Sequence, residues 1–368
     1  MRGHSNVQGQ RTVGITEKPE LAPLDKLAEL YHFEPPRDKG LNTVEACHGI
    51  LARRVTAFIS LGGNFIRAVP ETVLMEDAWR DLALTVQVST KLNRNHVIHG
   101  KISYVLPCLG RIEVDRQRGV EQSVSIEDST GCMHGSRGYA TPASDQLLSE
   151  PAIIAGIAQA TLAPNARLDW AGWANDYGAV RDAIEATYPA IFKDFNARMW
   201  TPGGFRKPVP AAERIWDTPS GKANFMVPQT LEENPDLTQR TAGTLRLFTL
   251  RSDGQFNTTI YSNDDRFRGV YGTRMVLLIS AADMRRLNFH EGDLVTATTP
   301  SGDGVARSVH GLRIVEYDIP DGCIAGYYPE CNPLIPLWHH AIDSMVPAAK
   351  AIDVILDKTA LAVASAAL

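Results

Sequence analysis

Apolar positions change their period along this chain. Between residues 41 and 240, short apolar runs alternate with stretches of helical spacing. Asn42 and Glu45 stand as a capping pair, and Val44, Cys47, Ile50 and Leu51 recur behind them at helical intervals. Residues 55–61 read as a buried strand that ends in Gly62-Gly63-Asn64. A helical stretch over 74–83 and a second strand over 84–88 follow. Residues 103–106 give a third strand, and the segment after Ser149-Glu150-Pro151 has both a cap residue and a first-turn proline for another helix. This β-α-β rhythm predicts a parallel sheet.

From about residue 240 the pattern becomes one of short strands, at 245–250, 276–279, 294–298, 305–309 and 353–356, separated by Gly-Asp, Pro-Ser-Gly-Asp-Gly and Pro-Asp-Gly turns. A β-barrel is the natural way to bury them. Ser280 and Asp283 predict one short helix among them, ending near Leu287. Residues 1–40 carry no clean period and end in Pro35-Pro36-Arg37-Asp38-Lys39-Gly40, the composition of a loop wrapped over another part of a structure. The expected organisation is therefore a loop segment over 1–40, an α/β domain over 41–240 and a barrel over 241–368.

Charge and cysteine content narrow the partners. A net charge of -5 without a long block of one sign gives no electrostatic reason to expect nucleic acid or a membrane surface. The five cysteines, Cys47, Cys108, Cys132, Cys323 and Cys331, never form a Cys-x-x-Cys pair, so neither a disulfide framework nor a self-contained zinc or iron-sulfur site is indicated. No signal-peptide core opens the chain, and no run approaches the roughly 18 apolar residues of a spanning helix. A cytoplasmic location is expected.

Three segments carry candidate chemistry. Gly62-Gly63-Asn64, directly after a buried strand, lets backbone approach a phosphate or nucleotide, although a tight turn needing two small residues has the same sequence. Residues 251–259 gather Arg251, Ser252, Gln255, Phe256 and Asn257 around Gly254, which suits a polar ring or a phosphate as well as a solvated loop. The opening Arg2-Gly3-His4-Ser5-Asn6-Val7-Gln8-Gly9 is dense in donors, and an arginine fork suits a carboxylate. The remaining histidines, among them His96, His99, His134 and His310, show no metal-binding spacing.

In their order and spacing these segments resemble the molybdopterin oxidoreductase family, in particular its formate dehydrogenase-like branch, over nearly the whole chain. Residues 2–9 resemble the family's Arg-Gly-x-x-Asn-Val-Gln-Gly stretch. Gly62-Gly63-Asn64 looks like its dinucleotide loop, Leu106-Pro107 with Gly110 like its Leu-Pro segment, and Ser136-Arg137-Gly138 like the following Arg-Gly turn. Residues 217–223 are similar to the Asp-Thr-Pro motif before the last domain, residues 251–257 to the loop that closes on the pterin, and residues 283–295 to a unit ending in Gly-Asp. Asn332 stands where the family places an asparagine near cofactor, and His339-His340 fall near the expected cofactor side of the barrel.

The resemblance implies a Rossmann-like parallel-sheet domain followed by a double-psi β-barrel. It implies a molybdenum bis(molybdopterin guanine dinucleotide) cofactor held by Gly3, Asn6, Gly9, the Gly62 turn, Arg137, the 251–257 loop, Asn332 and the His339-His340 pair. Arg2 would orient a small carboxylate such as formate and His4, where the family's better-known enzymes have glutamine, would relay a proton. The family's metal ligand and iron-sulfur cysteines belong to an N-terminal half that this sequence does not contain. It therefore reads as one part of a split enzyme, a non-catalytic binding module or a remnant, with an N-terminal half or partner subunit as the expected companion.

Overall fold

A computed structural model describes residues 5–225, 227, 230 and 241–359. The chain divides into two compact units that interleave in sequence: one takes 1–41, 88–91 and 105–226, the other 42–87, 92–104 and 227–368. The α/β segment expected over 41–240 is thus shared between units rather than forming one block.

The stretch over 1–40 contains two helices where a loop was expected, α1 (Ser5–Thr12) and α2 (Leu24–Tyr31). Each is only 8 residues long, too short for propensity alone to hold. Tertiary contacts supply the difference for α2: the Tyr31 hydroxyl donates to the Ala183 carbonyl at 3.2 Å, and its ring meets Trp173 edge-on at 6.0 Å. The same unit contains a sheet of Val124–Glu127, Cys132–Ser136 and Phe205–Arg206, with a core of Met133, Phe192, Phe195, Met199 and Phe205 beside it.

The second unit begins with α3 (Thr43–Leu51), whose capping box from Asn42 and Glu45 is present as expected. Then come β1 (Ala57–Leu61), α4 (Phe65–Ala68), α5 (Thr72–Arg80), β2 (Leu84–Ser89), α6 (Arg94–Val97) and β3 (Ile102–Pro107). The strands lie in the order β1-β2-β3. Backbone bonds from Lys101 to Leu82, Ile102 to Ala83 and Cys108 to Ser89 keep one constant offset, the mark of parallel pairing. Val44, Cys47, Ile50, Met75 and Trp79 pack together, with Phe58 of β1 against Trp79 at 4.8 Å. Behind Ser149, which caps it, α7 (Glu150–Thr161) forms in the first unit as expected.

The C-terminal strands close into a six-stranded barrel in the order Val276–Ile279, Ser308–Glu316, Leu294–Thr298, Ile352–Lys358, Leu245–Leu250, Cys323–Tyr327. Alternation along Leu245–Leu250 sends Leu245 and Leu247 into a core with Leu277, Ile279, Val295, Leu312, Ile324 and Val354. Val276–Ile279 is buried on both faces, its other face packing as Val276 and Leu278 with Ala325 and Tyr327. The strand expected at 305–309 lies further on, at Ser308–Glu316, because 301–307 is occupied by polar contacts to Arg307. The helix capped by Ser280 runs Ala281–Leu287. No helix among the described residues is long and apolar enough to cross a membrane.

Candidate functional site

The turn after β1 is built for exposure of backbone. Gly62 and Gly63 have φ of +65° and +76°, and a Cβ on either would meet nothing within 4 Å. Their conformation demands glycine while the space beside them stays open. Three asparagines fasten the segment: Asn93 Nδ2 donates to the Gly63 carbonyl at 2.7 Å, Ile66 N donates to Asn95 Oδ1 at 2.9 Å, and Asn332 Nδ2 donates to the Arg67 carbonyl at 2.7 Å.

Two of these side chains, Asn95 and Asn332, are only half satisfied. Asn64 Oδ1, Asn95 Nδ2 and Asn332 Oδ1 are buried with no partner, and so are both amide atoms of Gln87 on the neighbouring strand β2, a residue 1 % exposed. Each such atom costs about 1–3 kcal/mol when left unpaired. Gly62–Asn64 follows the carboxyl end of β1 and Asn93–Asn95 that of β2, the edge of a parallel sheet where ligands bind in open α/β folds. Unpaired acceptors and donors at that edge match the mixed edge of a purine base or a pterin.

In the other unit, a cleft of about 310 Å³ brings Gly110 and Arg111 together with Ser136-Arg137-Gly138, Ser149 and Tyr177. Gly138 is required here: a Cβ would lie 1.8 Å from the Glu113 carbonyl oxygen. The two segments approach this closely through an isolated bridge in which Ala140 N donates to Ile112 O at 2.8 Å and Val114 N to Ala140 O at 2.9 Å. The Arg137 guanidinium lies over Trp200 at 4.8 Å. The Tyr177 hydroxyl shares bonds with Ser149 Oγ at 2.6 Å and Asp115 Oδ2 at 2.5 Å. Burial, aided by the Asp115 carboxylate, pushes this phenol well above its ordinary range, so it stays neutral. Arg111 and Arg137 share the cleft with the carboxylates of Glu113, Asp115 and Glu150, so its lining is mixed in charge.

The 251–257 loop of the barrel divides its side chains by role. Arg274, itself buried and lying over Tyr327 at 4.7 Å, donates to Ser252 Oγ, to Gln255 Oε1 at 2.9 Å and to both oxygens of Glu330 at 2.7 and 3.0 Å. Gln255 Nε2 donates to the carbonyls of Asn257 and Tyr328, both at 2.7 Å. Ser252 and Gln255 therefore shape the loop, while Arg251, Phe256 and Asn257 are exposed. Phe256 stands edge-on to Tyr261 at 5.8 Å, an aromatic platform. Lys350 donates to the Thr249 carbonyl, and burial, with Arg251 nearby, lowers its pKa. His339 Nε2 meets the Ala351 carbonyl at 2.7 Å and His340 Nδ1 the Ala341 carbonyl at 2.9 Å, so each ring has one nitrogen committed to backbone.

Arg2, Gly3 and His4 lie outside the described residues, as does the side chain of Asn6. Gly9 sits on α1, where a Cβ would make ordinary contact with Glu127 at 3.5 Å. Residues 217–223 form an exposed turn closed by Thr218 Oγ1 on the Lys222 carbonyl at 2.8 Å. Sequence reasoning missed Gln87, Asn93, Asn95, Asp115, Tyr177 and Arg274. Of these, only the Asn93-Arg94-Asn95 triplet carried a local signal, since asparagine favours caps.

The barrel and its loop coincide with a known domain. Residues 245–354 match the model of the "Molydopterin dinucleotide binding domain". The chain carries that domain match in its C-terminal part. It is 45 % identical over 369 residues to an uncharacterized oxidoreductase of Mycobacterium tuberculosis, covering 98 % of this chain and 46 % of the relative. It is 43 % identical over 359 residues to protein YdeP of Escherichia coli, covering 97 % of this chain and 47 % of the relative. The chain thus spans about half the length of the curated relatives it matches. Its fold is similar to that of the acetylene hydratase from Pelobacter acetylenicus, with a TM-score of 0.52 and 15 % identity over 96 % of this chain and 50 % of the other.

Proposed function

We propose that this chain holds a molybdopterin guanine dinucleotide cofactor as part of a two-electron oxidoreductase acting on a small substrate such as formate. The observation that carries the reading is the set of unpartnered buried atoms on Asn64, Asn95 and Asn332 at the open Gly62-Gly63 turn and the segment behind it, with Gln87 unpartnered on the neighbouring strand. Native chains pair nearly all such groups, with protein, ordered water or a ligand, and a purine or pterin edge could meet several of them at once. In this reading the turn and its asparagines hold the nucleotide end, the barrel is of the double-psi type, and Arg251, Phe256 and Asn257 close over a second part of the cofactor. Arg137 and Arg111 line a polar cleft and would offer forks to a cofactor phosphate there.

Bound molybdenum cofactor supplies the redox chemistry. The protein contributes orientation and electrostatics: Arg2 offers a planar fork to a carboxylate and His4 a group that titrates near neutral pH. The iron-sulfur cluster and the metal ligand are assigned to the part of the relatives that lies outside their match with this chain.

The test is metal and pterin analysis of the purified chain, alone and with that remaining part supplied. Pterin retained by the chain alone supports a binding module. Formate-dependent dye reduction that appears only when both parts are present supports a split enzyme. Absence of pterin from both preparations would overturn the proposal.

A further inference from the structure

We infer that Arg274 is the positioning residue of the proposed cofactor site: its guanidinium fixes the 251–257 loop and the turn leading to Asn332 relative to each other. The inference deepens the reading above and rests on it for the ligand. The geometry that carries it lies within the barrel's own unit.

Arg274 stands two residues before the strand Val276–Ile279 and is 4 % exposed. A cation so placed must find acceptors for its donors, and they come from outside the barrel wall. Nη1 donates to Ser252 Oγ. Nη2 donates to Gln255 Oε1 at 2.9 Å and to the Tyr328 carbonyl at 2.8 Å, and Nε and Nη2 take the two oxygens of Glu330 at 2.7 and 3.0 Å. None of these acceptors belongs to a strand of the six-stranded barrel. The wall contributes the Tyr327 ring, 4.7 Å from the guanidinium, at the end of the strand Cys323–Tyr327. A guanidinium that served the barrel would bond its strands; this one bonds the loops beyond them.

Those loops are the parts that the reading gives to the cofactor. Ser252 and Gln255 are the buried side chains of the segment from which Arg251, Phe256 and Asn257 project. Glu330 lies two residues before Asn332, whose Nδ2 holds the Arg67 carbonyl at 2.7 Å behind the Gly62-Gly63 turn. One planar fork thus sets both pieces at once. All three of its nitrogens are committed to protein, so it acts through the loop rather than on a ligand. Lysine carries the same charge, but its donors radiate from one atom and cannot reach Ser252, Gln255 and Glu330 together.

The full chain would be expressed in a host that makes molybdenum cofactor, as wild type, Arg274→Lys, Ser252→Ala and Val295→Ala. Val295 is a buried wall residue, so its truncation weakens the barrel without touching the loop. Hydrogen exchange and the fluorescence of oxidised pterin are read on each. In Arg274→Lys the amides of residues 252–257 and 330–332 should exchange about tenfold faster, those of 276–279 and 352–356 should keep wild-type rates, and retained pterin should fall about tenfold. Ser252→Ala, which removes one acceptor and is the milder change, should speed the same loop amides by about threefold. Val295→Ala should lower the urea midpoint yet leave loop exchange and pterin content within about twofold of wild type. Loop amides at wild-type rates in both loop variants would overturn the inference, as would equal acceleration in 276–279 and 352–356 or an equal pterin loss in Val295→Ala. Wild-type chain without pterin sinks the cofactor reading and leaves exchange to decide whether Arg274 orders the loop. Pterin held at the wild-type level by Arg274→Lys with its loop freed leaves the cofactor reading standing and removes Arg274 from it.

Discussion

Glu71 grips the guanidinium of Arg307 with both carboxylate oxygens, at 2.7 and 2.9 Å. Both side chains are buried, and the pair joins the α/β segment of its unit to the barrel. Glu71 Oε2 also accepts from Leu337 N at 2.9 Å, and Arg307 donates to Asp303 and Ser301. Glu71 adopts φ of +58°, a conformation unusual for a residue with a side chain, directly before α5.

Removing one partner of this pair leaves the other charge buried. Arg307→Met should destabilise the chain by about 3–5 kcal/mol, read as a lower urea midpoint at unchanged slope. The double variant Glu71→Leu/Arg307→Met should recover part of that loss. A double variant no more stable than Arg307→Met would show that the two residues are not coupled.

Gln87 offers the converse case. Its amide has no partner on either atom, so Gln87→Met should raise the stability of the cofactor-free chain by about 1–3 kcal/mol while lowering pterin retention. Thermal unfolding and pterin fluorescence measure the two effects separately. A drop in stability would mean that the amide serves packing rather than a ligand.

Gly138 is dictated by contact, not by a left-handed backbone. Gly138→Ala must push a methyl group against the Glu113 carbonyl, and a cost of at least about 2 kcal/mol is expected because both neighbours are backbone. Wild-type stability in this variant would contradict the close approach. A companion Arg137→Ala should leave stability within about 1 kcal/mol and affect only anion binding to the cleft.

Burial pushes the thiols of Cys47 and Cys331 up to about 12 from an ordinary value of 9.0. Because the folded value is raised, their stabilising contribution is complete below about pH 9 and is lost as the pH rises toward 12. In native buffer at pH 8 a thiol reagent should label Cys132 and Cys323, which are partly exposed, and spare Cys47, Cys108 and Cys331. Mass spectrometry of the labelled peptides reads this directly. Rapid labelling of Cys331 would show that the barrel opens near Gly326, whose backbone it packs against.

Local chemistry made much of this fold legible. Asn42, Ser149 and Ser280 announce their helices because a cap acts within four residues of itself. Runs such as 276–279 announce strands because both faces are apolar. What the sequence hides is pairing at a distance. Nothing in the run 245–250 tells that its neighbours are 323–327 and 352–358. Gln87 reads as one polar position in a strand, and only the fold shows that its amide meets nothing. The short helices α1 and α2 escaped notice since their partners lie far along the chain, Glu127 for Thr12 of α1 and Ala183 for Tyr31 of α2.

The pairing of Glu71 with Arg307 spans 236 residues, and that has a consequence for synthesis. At about 5–20 residues per second, Glu71 emerges from the ribosome some 10–50 seconds before its partner exists. Throughout that interval α5 has no barrel to close against, although its unit already presents Trp79 and Met75. The order of translation thus brings the barrel out after the α/β segment it packs on, and lets it complete a core begun in α3.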